Sequence, residues 1–197
     1  MKHDNIVKQF LDGLREHLPE DDILSLSFST GASPLQLAQL KARYPDCPKS
    51  LIELLATING TYWQKYGEHT IALLILGSDV TEYPYYLKSV EQILDENNET
   101  DSINEIYKEY RHYFPDLVDA AINPDTNLDK WLCFSDCMNN GGTSSIYIDF
   151  NPSDMGKKGQ IVRFLHDPDN YKVIADSFDN YLRMLIDSNY SFVFEDN

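Results

Sequence analysis

Residues 33–60 read SPLQLAQLKARYPDCPKSLIELLATING. Ser33 is a good N-cap, Pro34 suits the first helical position and Gln36 can complete a capping box, so the stretch opens with a short helix that points Leu37 and Leu40 inward. Pro48 starts a second helix whose apolar face is Leu51, Ile52, Leu54, Leu55 and Ile58. Asn59-Gly60 ends it, because glycine accepts the left-handed geometry found at helix C-termini. A Pro-bounded helix pair is the strongest local signal in the chain.

On the N-terminal side, Ile6, Val7, Phe10, Leu11, Leu14 and Leu18 recur at helical spacing, which predicts an amphipathic helix over about 3–18, followed by a polar break. On the C-terminal side the period changes. Ile71–Leu76 reads as one buried strand, and Ser89-Val-Glu-Gln92 as a capping box opening a short helix through Leu94. Residues 95–128 have the character of a helical acidic insertion, in which Ser102 caps a helix carrying Ile103, Ile106, Tyr107, Tyr110 and Phe114. Strands return at Trp131–Phe134, Ser145–Phe150, Gln160–His166 and Tyr171–Ala175, and Ser177 caps a last helix with Phe178, Tyr181, Leu182, Leu185 and Ile186 on one face. Helices, then mostly antiparallel strands, then a helix make an α+β layout in a single domain over 1–197. No internal repeat, low-complexity tract or linker divides it.

The 197 residues carry a net charge of −16. That charge repels phosphate backbones and anionic bilayers, so neither nucleic acid nor membrane is an expected partner, while a basic protein is. Hydrophobic residues at 42% and aromatic ones at 12% argue against disorder. The N-terminal residues lack a signal peptide's apolar run, and three cysteines cannot all pair within one chain; both features suggest a reducing, cytoplasmic setting.

The search for catalytic motifs is negative. Cys133 and Cys137 are separated by three residues, and with Cys47 the only other cysteine and no His-x₃-His, a four-ligand zinc site is not assembled; two core cysteines are expected. His3, His17, His69, His112 and His166 are scattered, and neither a metal nor a cofactor is expected. Asn139-Asn140-Gly141-Gly142-Thr143 lacks the lysine and following helix of a phosphate loop; it reads as a hairpin turn, or as a loop that presents Asn139 and Asn140 to a partner. His166-Asp167 ends a predicted strand before Pro168, where a histidine bonded to a turn is the simpler reading than a metal-hydrolase pair. No Gly-x-Ser-x-Gly elbow occurs.

Charge is unevenly distributed. Residues 91–129 hold eleven Asp and Glu against Lys108 and Arg111, more than half the chain's net charge in a fifth of its length. This is either a solvated face that keeps the protein soluble or an acidic patch that engages a basic partner. Under the second reading Glu99, Asp101, Glu105 and Glu109 steer, while Tyr107 and Tyr110 provide rigid contact area, with Tyr113 interleaved.

These segments, in this order, resemble the SUKH superfamily, which includes the yeast cell-wall-assembly regulators of the Smi/Knr type. Residues 34–60 are similar to its paired helices, down to the Leu-rich ending with Asn59-Gly60. Ser89–Ile93 is similar to its short helix, Trp131–Phe134, Gly141-Gly142 and Ile146–Asp149 to its Trp strand, glycine turn and strand ending in Asp, and 161–167 and 177–185 to its penultimate strand and closing helix. The likeness covers about residues 30–187; the segment 95–128 is longer than the compact family pattern. The resemblance implies a central, mostly antiparallel sheet with helices around it, no catalytic residues, and Asn59, Gly60, Trp131, Gly141, Gly142 and Asp149 as fold-defining positions. Many bacterial members are immunity proteins that bind a toxin domain, often a nuclease, whereas eukaryotic members regulate and scaffold cell-wall synthesis. A toxin-neutralising binding module, with a basic toxin as partner, is the expected function, and a regulatory module without a toxin is the alternative.

Overall fold

The computed structural model describes residues 5–96, 100–137, 144–166 and 168–194. The first helix, α1 (Ile6–His17), is capped by the Asn5 side chain, which accepts from Lys8 N, and buries Ile6, Val7, Phe10, Leu11 and Leu14. The polar break expected after it is instead a second helix, α2 (Glu20–Ser27). Its hydrophobic pattern is weak, since Leu26 alone is buried, but Glu20, Asp21 and Asp22 fill the first turn, where carboxylates complement the helix dipole.

The paired helices form as the sequence dictates. In α3 (Pro34–Arg43) the capping box closes both ways, with Ser33 N donating to Gln36 Oε1 (2.6 Å) and Gln36 N to Ser33 Oγ (3.3 Å). The second member, α4 (Lys49–Thr57), buries Leu51, Ile52, Leu54 and Leu55. Gly60 leaves it with φ +91°, and a Cβ there would stand 2.5 Å from Ser89 N, so no side chain fits at this crossing.

The predicted strand Ile71–Leu76 is two strands in two sheets. β1 (Gln64–Tyr66) and β2 (His69–Ile71) form a small hairpin, and β3 (Leu74–Leu76) begins the main sheet. Leu73 N donates to Thr61 O (3.1 Å), which takes the chain out of the hairpin ladder between them. The remaining elements are β4 (Tyr85–Leu87), α5 (Val90–Glu96), α6 (Ile103–Tyr107), β5 (Leu132–Cys137), β6 (Ser144–Asp149), β7 (Gln160–Leu165), β8 (Asn170–Ala175) and α7 (Phe178–Asp187). Strands β3 to β8 lie side by side in chain order and pair antiparallel throughout.

Strand alternation divides this sheet's side chains between two cores. Leu132, Phe134, Ile146, Ile148 and Ile161 join the main core with side chains of α1, α4, α5 and α7. Tyr147, Val162, Phe164, Tyr171 and Val173 face the opposite way. There they meet Trp131 and five buried residues of the acidic segment, Ile103, Leu117, Val118, Ile122 and Leu128. That segment is therefore a cover over the sheet's second face. It also guards the sheet edge, because Asp119 N donates to Tyr171 O (2.9 Å) beside a parallel bridge from Val118 to Tyr171.

Two polar ties lock the layers. Asp79, between β3 and β4, accepts from Arg163 Nε (2.6 Å) on β7 and from Lys172 Nζ (2.8 Å) on β8. Partial burial works against its charged form, but these two cations outweigh it and hold the carboxyl below the ordinary value. The chain's two ends meet as well: Tyr190, past the end of α7, donates its hydroxyl to Phe10 O (2.9 Å) and lies against His17 and Gly13 of α1.

Two substitutions test this layering. Trp131 is fully buried in the second core, so Trp131→Ala is expected to lower unfolding free energy by about 3–5 kcal/mol in denaturant titration. Asp79→Asn leaves the Arg163 guanidinium, whose side chain is 4% exposed, without its counter-charge. Water still reaches Asp79, so the expected loss at pH 7 is about 2 kcal/mol, less than for a fully buried pair. A depressed folded-state pKa contributes stability above the unfolded value, about 4, that is lost as pH falls through the folded value. The gap between wild type and Asp79→Asn should accordingly close on acidification.

Candidate protein-binding site

Segment 100–118 displays the aromatic side chains that the sequence placed on one helix stripe. Ser102 does cap α6: its N donates to Glu105 Oε2 (2.7 Å) and its Oγ accepts from Glu105 N (3.3 Å). The helix stops at Tyr107, however, because Lys108 adopts φ +46°, and Lys108–His112 continues as a 3₁₀ turn. This break dissolves the predicted stripe. Ile103 is buried and Tyr107 half-buried, but Ile106, Tyr110, Tyr113 and Phe114 are 41%, 51%, 79% and 47% exposed. Four large apolar side chains within nine residues thus reach solvent, where dispersed single ones are the norm.

One side of this cluster is a cleft of about 270 Å³ against the β7–β8 turn, lined by Tyr110, Phe114, Leu117, His166, Pro168 and Asp169. The Tyr110 and Phe114 rings stack with centroids 4.4 Å apart. Tyr107 donates its hydroxyl to Asp169 Oδ2 (2.7 Å), and His166 Nδ1 lies 2.7 Å from Asp169 Oδ1. Burial, followed by the Asp169 carboxylate, pushes the Tyr107 phenol far above its ordinary pKa, so it stays a donor. Tyr107 is consequently more a tie between the acidic segment and the turn than a free contact residue. His166 is, as expected, a strand-end histidine engaged with its turn.

The predicted acidic residues divide by role. Asp101, Glu105 and Glu109 are exposed on this segment. The Ser102 backbone and hydroxyl hydrogen bonds hold the Glu105 carboxyl below its usual value, so this residue serves the helix cap as well as the surface charge. Glu99, Asn139, Asn140, Gly141 and Gly142 lie outside the described residues. Phe114, His166, Pro168 and Asp169 join the site unforeseen. Nothing local in the sequence announces them, since the last three come from a hairpin turn some fifty residues further along the chain.

The remaining motif positions do structural work. Asn59 Oδ1 accepts from Val90 N (2.9 Å) at the start of α5, and Asn59 Nδ2 donates to Glu91 Oε2 (3.2 Å), beside the Gly60 crossing. Asp149 is fully buried and accepts from Asn151 N (2.8 Å) and Gln160 Nε2 (3.0 Å). Burial raises its carboxyl above the ordinary value, opposed by these bonds and one from the Trp131 side chain. Gln160 Nε2 also donates to Ala121 O (3.0 Å), which anchors the cover. Cys133 and Cys137 are buried in β5, with the Cys133 thiol pushed up by burial. Among the described residues no group of three His, Cys, Asp or Glu is placed to hold a metal ion, and no helix is long and apolar enough to cross a membrane.

The paired helices, the Asn59-Gly60 crossing, the Trp131–Asp149 core and most of the closing helix fall within residues 31–184, which match the SMI1 / KNR4 family (SUKH-1). The chain belongs to the SUKH-1 family. Comparison with curated proteins returns no match. SUKH domains are generally non-catalytic binding modules. The matched range includes the acidic segment, which covers the second sheet face in this SUKH-1 protein.

Tyr107→Phe removes the donor to Asp169. The expected result is a loss of about 1–2 kcal/mol in unfolding free energy, with faster amide exchange confined to residues 103–118.

Proposed function

We propose that this protein is a bacterial immunity protein: a cytoplasmic, non-catalytic module that neutralises a cognate polymorphic toxin, a nuclease domain being the best fit, by direct binding through the face built on residues 101–114. The observation that carries this reading is the exposed cluster of Ile106, Tyr110, Tyr113 and Phe114 set among Asp101, Glu105, Glu109 and Asp116. Rigid aromatic area ringed by carboxylates suits a basic protein surface, the rings supplying contact and the acids long-range attraction. A nuclease cleft that binds phosphate is such a surface, and a protein of net charge −16 competes for it. The acids carry the steering because they remain exposed even though the segment beneath them is packed.

The test uses the toxin sought in the adjacent gene. Glu99→Gln, Asp101→Asn, Glu105→Gln and Glu109→Gln together are expected to lower the association rate by about tenfold at low salt and to flatten its salt dependence. The fold is expected to survive, because glutamine closes a capping box as Gln36 does in α3. Tyr110→Ala and Tyr113→Ala should act mainly by raising the dissociation rate. If association, salt dependence and protection of toxin-expressing cells are all unchanged, the face is a solvated cover and the protein binds elsewhere. Absence of any toxin partner would return the regulatory alternative.

A further inference from the structure

We propose that the cleft between Tyr110, Phe114 and Asp169 is a receptor for a single arginine side chain of a protein partner; this rests on the binding function above and names the group that the face reads. The cleft combines the two features that a guanidinium needs. Its aromatic wall is the stacked Tyr110–Phe114 pair, extended by the apolar surfaces of Leu117 and Pro168, and Asp169 is the carboxylate among its described lining residues. Aromatic rings attract a cation electrostatically, and a guanidinium, being flat and weakly hydrated, stacks on a ring while its edge donates to a carboxylate. An ammonium is compact, strongly hydrated and has no flat face to stack, so lysine fits this arrangement less well.

Asp169 is held ready for such a donor. One carboxylate oxygen accepts from the Tyr107 hydroxyl at 2.7 Å and the other lies 2.7 Å from His166 Nδ1, which fixes the group's orientation. Each carboxylate oxygen can accept more than one hydrogen bond, so both retain capacity. No lysine or arginine is among the described residues lining the cleft, and the nearest arginine in sequence, Arg111, is engaged by Asn104 Oδ1. In the surrounding segment Lys108 and Arg111 balance Glu109 and Asp116, so the preference for a cationic occupant comes from the Asp169 carboxylate and the ring faces.

The experiment titrates the whole protein with acetyl-Gly-Arg-Gly-amide, its uncharged citrulline counterpart and its lysine counterpart, read by aromatic and methyl NMR. Expected are saturable shifts confined to Tyr110, Phe114, Leu117 and His166, with the arginine peptide binding at least about fivefold tighter than either counterpart. Phe114→Leu keeps apolar volume without the ring and Asp169→Asn keeps shape without the charge. Each should weaken the arginine peptide about fivefold while leaving signals from the rest of the protein in place, which shows that the variant is folded. Equal binding of citrulline, equal binding of lysine, shifts spread over the acidic surface, or no saturable shift up to about 10 mM peptide would each overturn the receptor. The two readings fail separately. A toxin partner that responds to the fourfold neutralisation while the peptide finds no cleft removes the arginine receptor and keeps the binding function. A peptide that seats in the cleft while a bound toxin ignores Phe114→Leu and Asp169→Asn removes this face from the toxin interface.

Discussion

Six antiparallel strands with large side chains on both faces must be covered twice, and the rest of the architecture follows from that requirement. One face carries Leu132, Phe134, Ile146, Ile148 and Ile161 and is met by the helices. The other carries Tyr147, Val162, Phe164, Tyr171 and Val173, a band that would be costly to leave in water. The acidic segment answers it with five buried aliphatic side chains packed beside Trp131, and the charge it bears is what remains for the outside. Cover and acidity are two sides of one segment: its apolar residues decide where it sits, and its carboxylates decide what it shows.

Local signals in the sequence transmit well wherever a side chain satisfies its own backbone. The Ser33, Ser89, Ser102 and Ser177 caps are all present, the first three as reciprocal boxes. The strands β6, β7 and β8 lie close to where alternation puts them, and the closing helix buries four of the five residues assigned to its face, Ile186 being only partly covered. Less legible are elements defined by distant partners. Strand β4 is three residues long between Pro84 and Lys88, and it exists because β3 and β5 flank it. The run Ile71–Leu76 is uniformly apolar, so nothing in it signals the change of sheet that the Thr61 carbonyl imposes at Leu73.

The exposed aromatic face shows the same division. The acids and tyrosines of 101–114 are conspicuous in the sequence, but their spacing suggests one continuous helix. The positive-φ turn at Lys108 ends that helix after Tyr107, and a lysine carries no compositional mark of such a turn. The cleft is illegible for a plainer reason: it is completed by the turn after β7, and only the covering of the second sheet face brings that turn against Tyr107, Tyr110 and Phe114. Trp131 and Asp149, by contrast, which the resemblance singles out, are both buried, and the Trp131 side chain hydrogen-bonds to the Asp149 carboxylate.

The meeting of Tyr190 with α1 constrains the order in which this fold can be completed. The Tyr190 hydroxyl reaches a carbonyl 180 residues earlier, and α1 and α7 pack along the same core. α1 precedes α7 in the chain, so its apolar face is made well before the helix it packs against. That face waits for its partner while the intervening strands are made, and closing so long a loop is slow compared with forming the adjacent strand pairs. Acidic residues are abundant in the intervening sequence, and like charge of this kind disfavours association between incompletely folded copies. The net charge thus has work to do before there is any partner to attract.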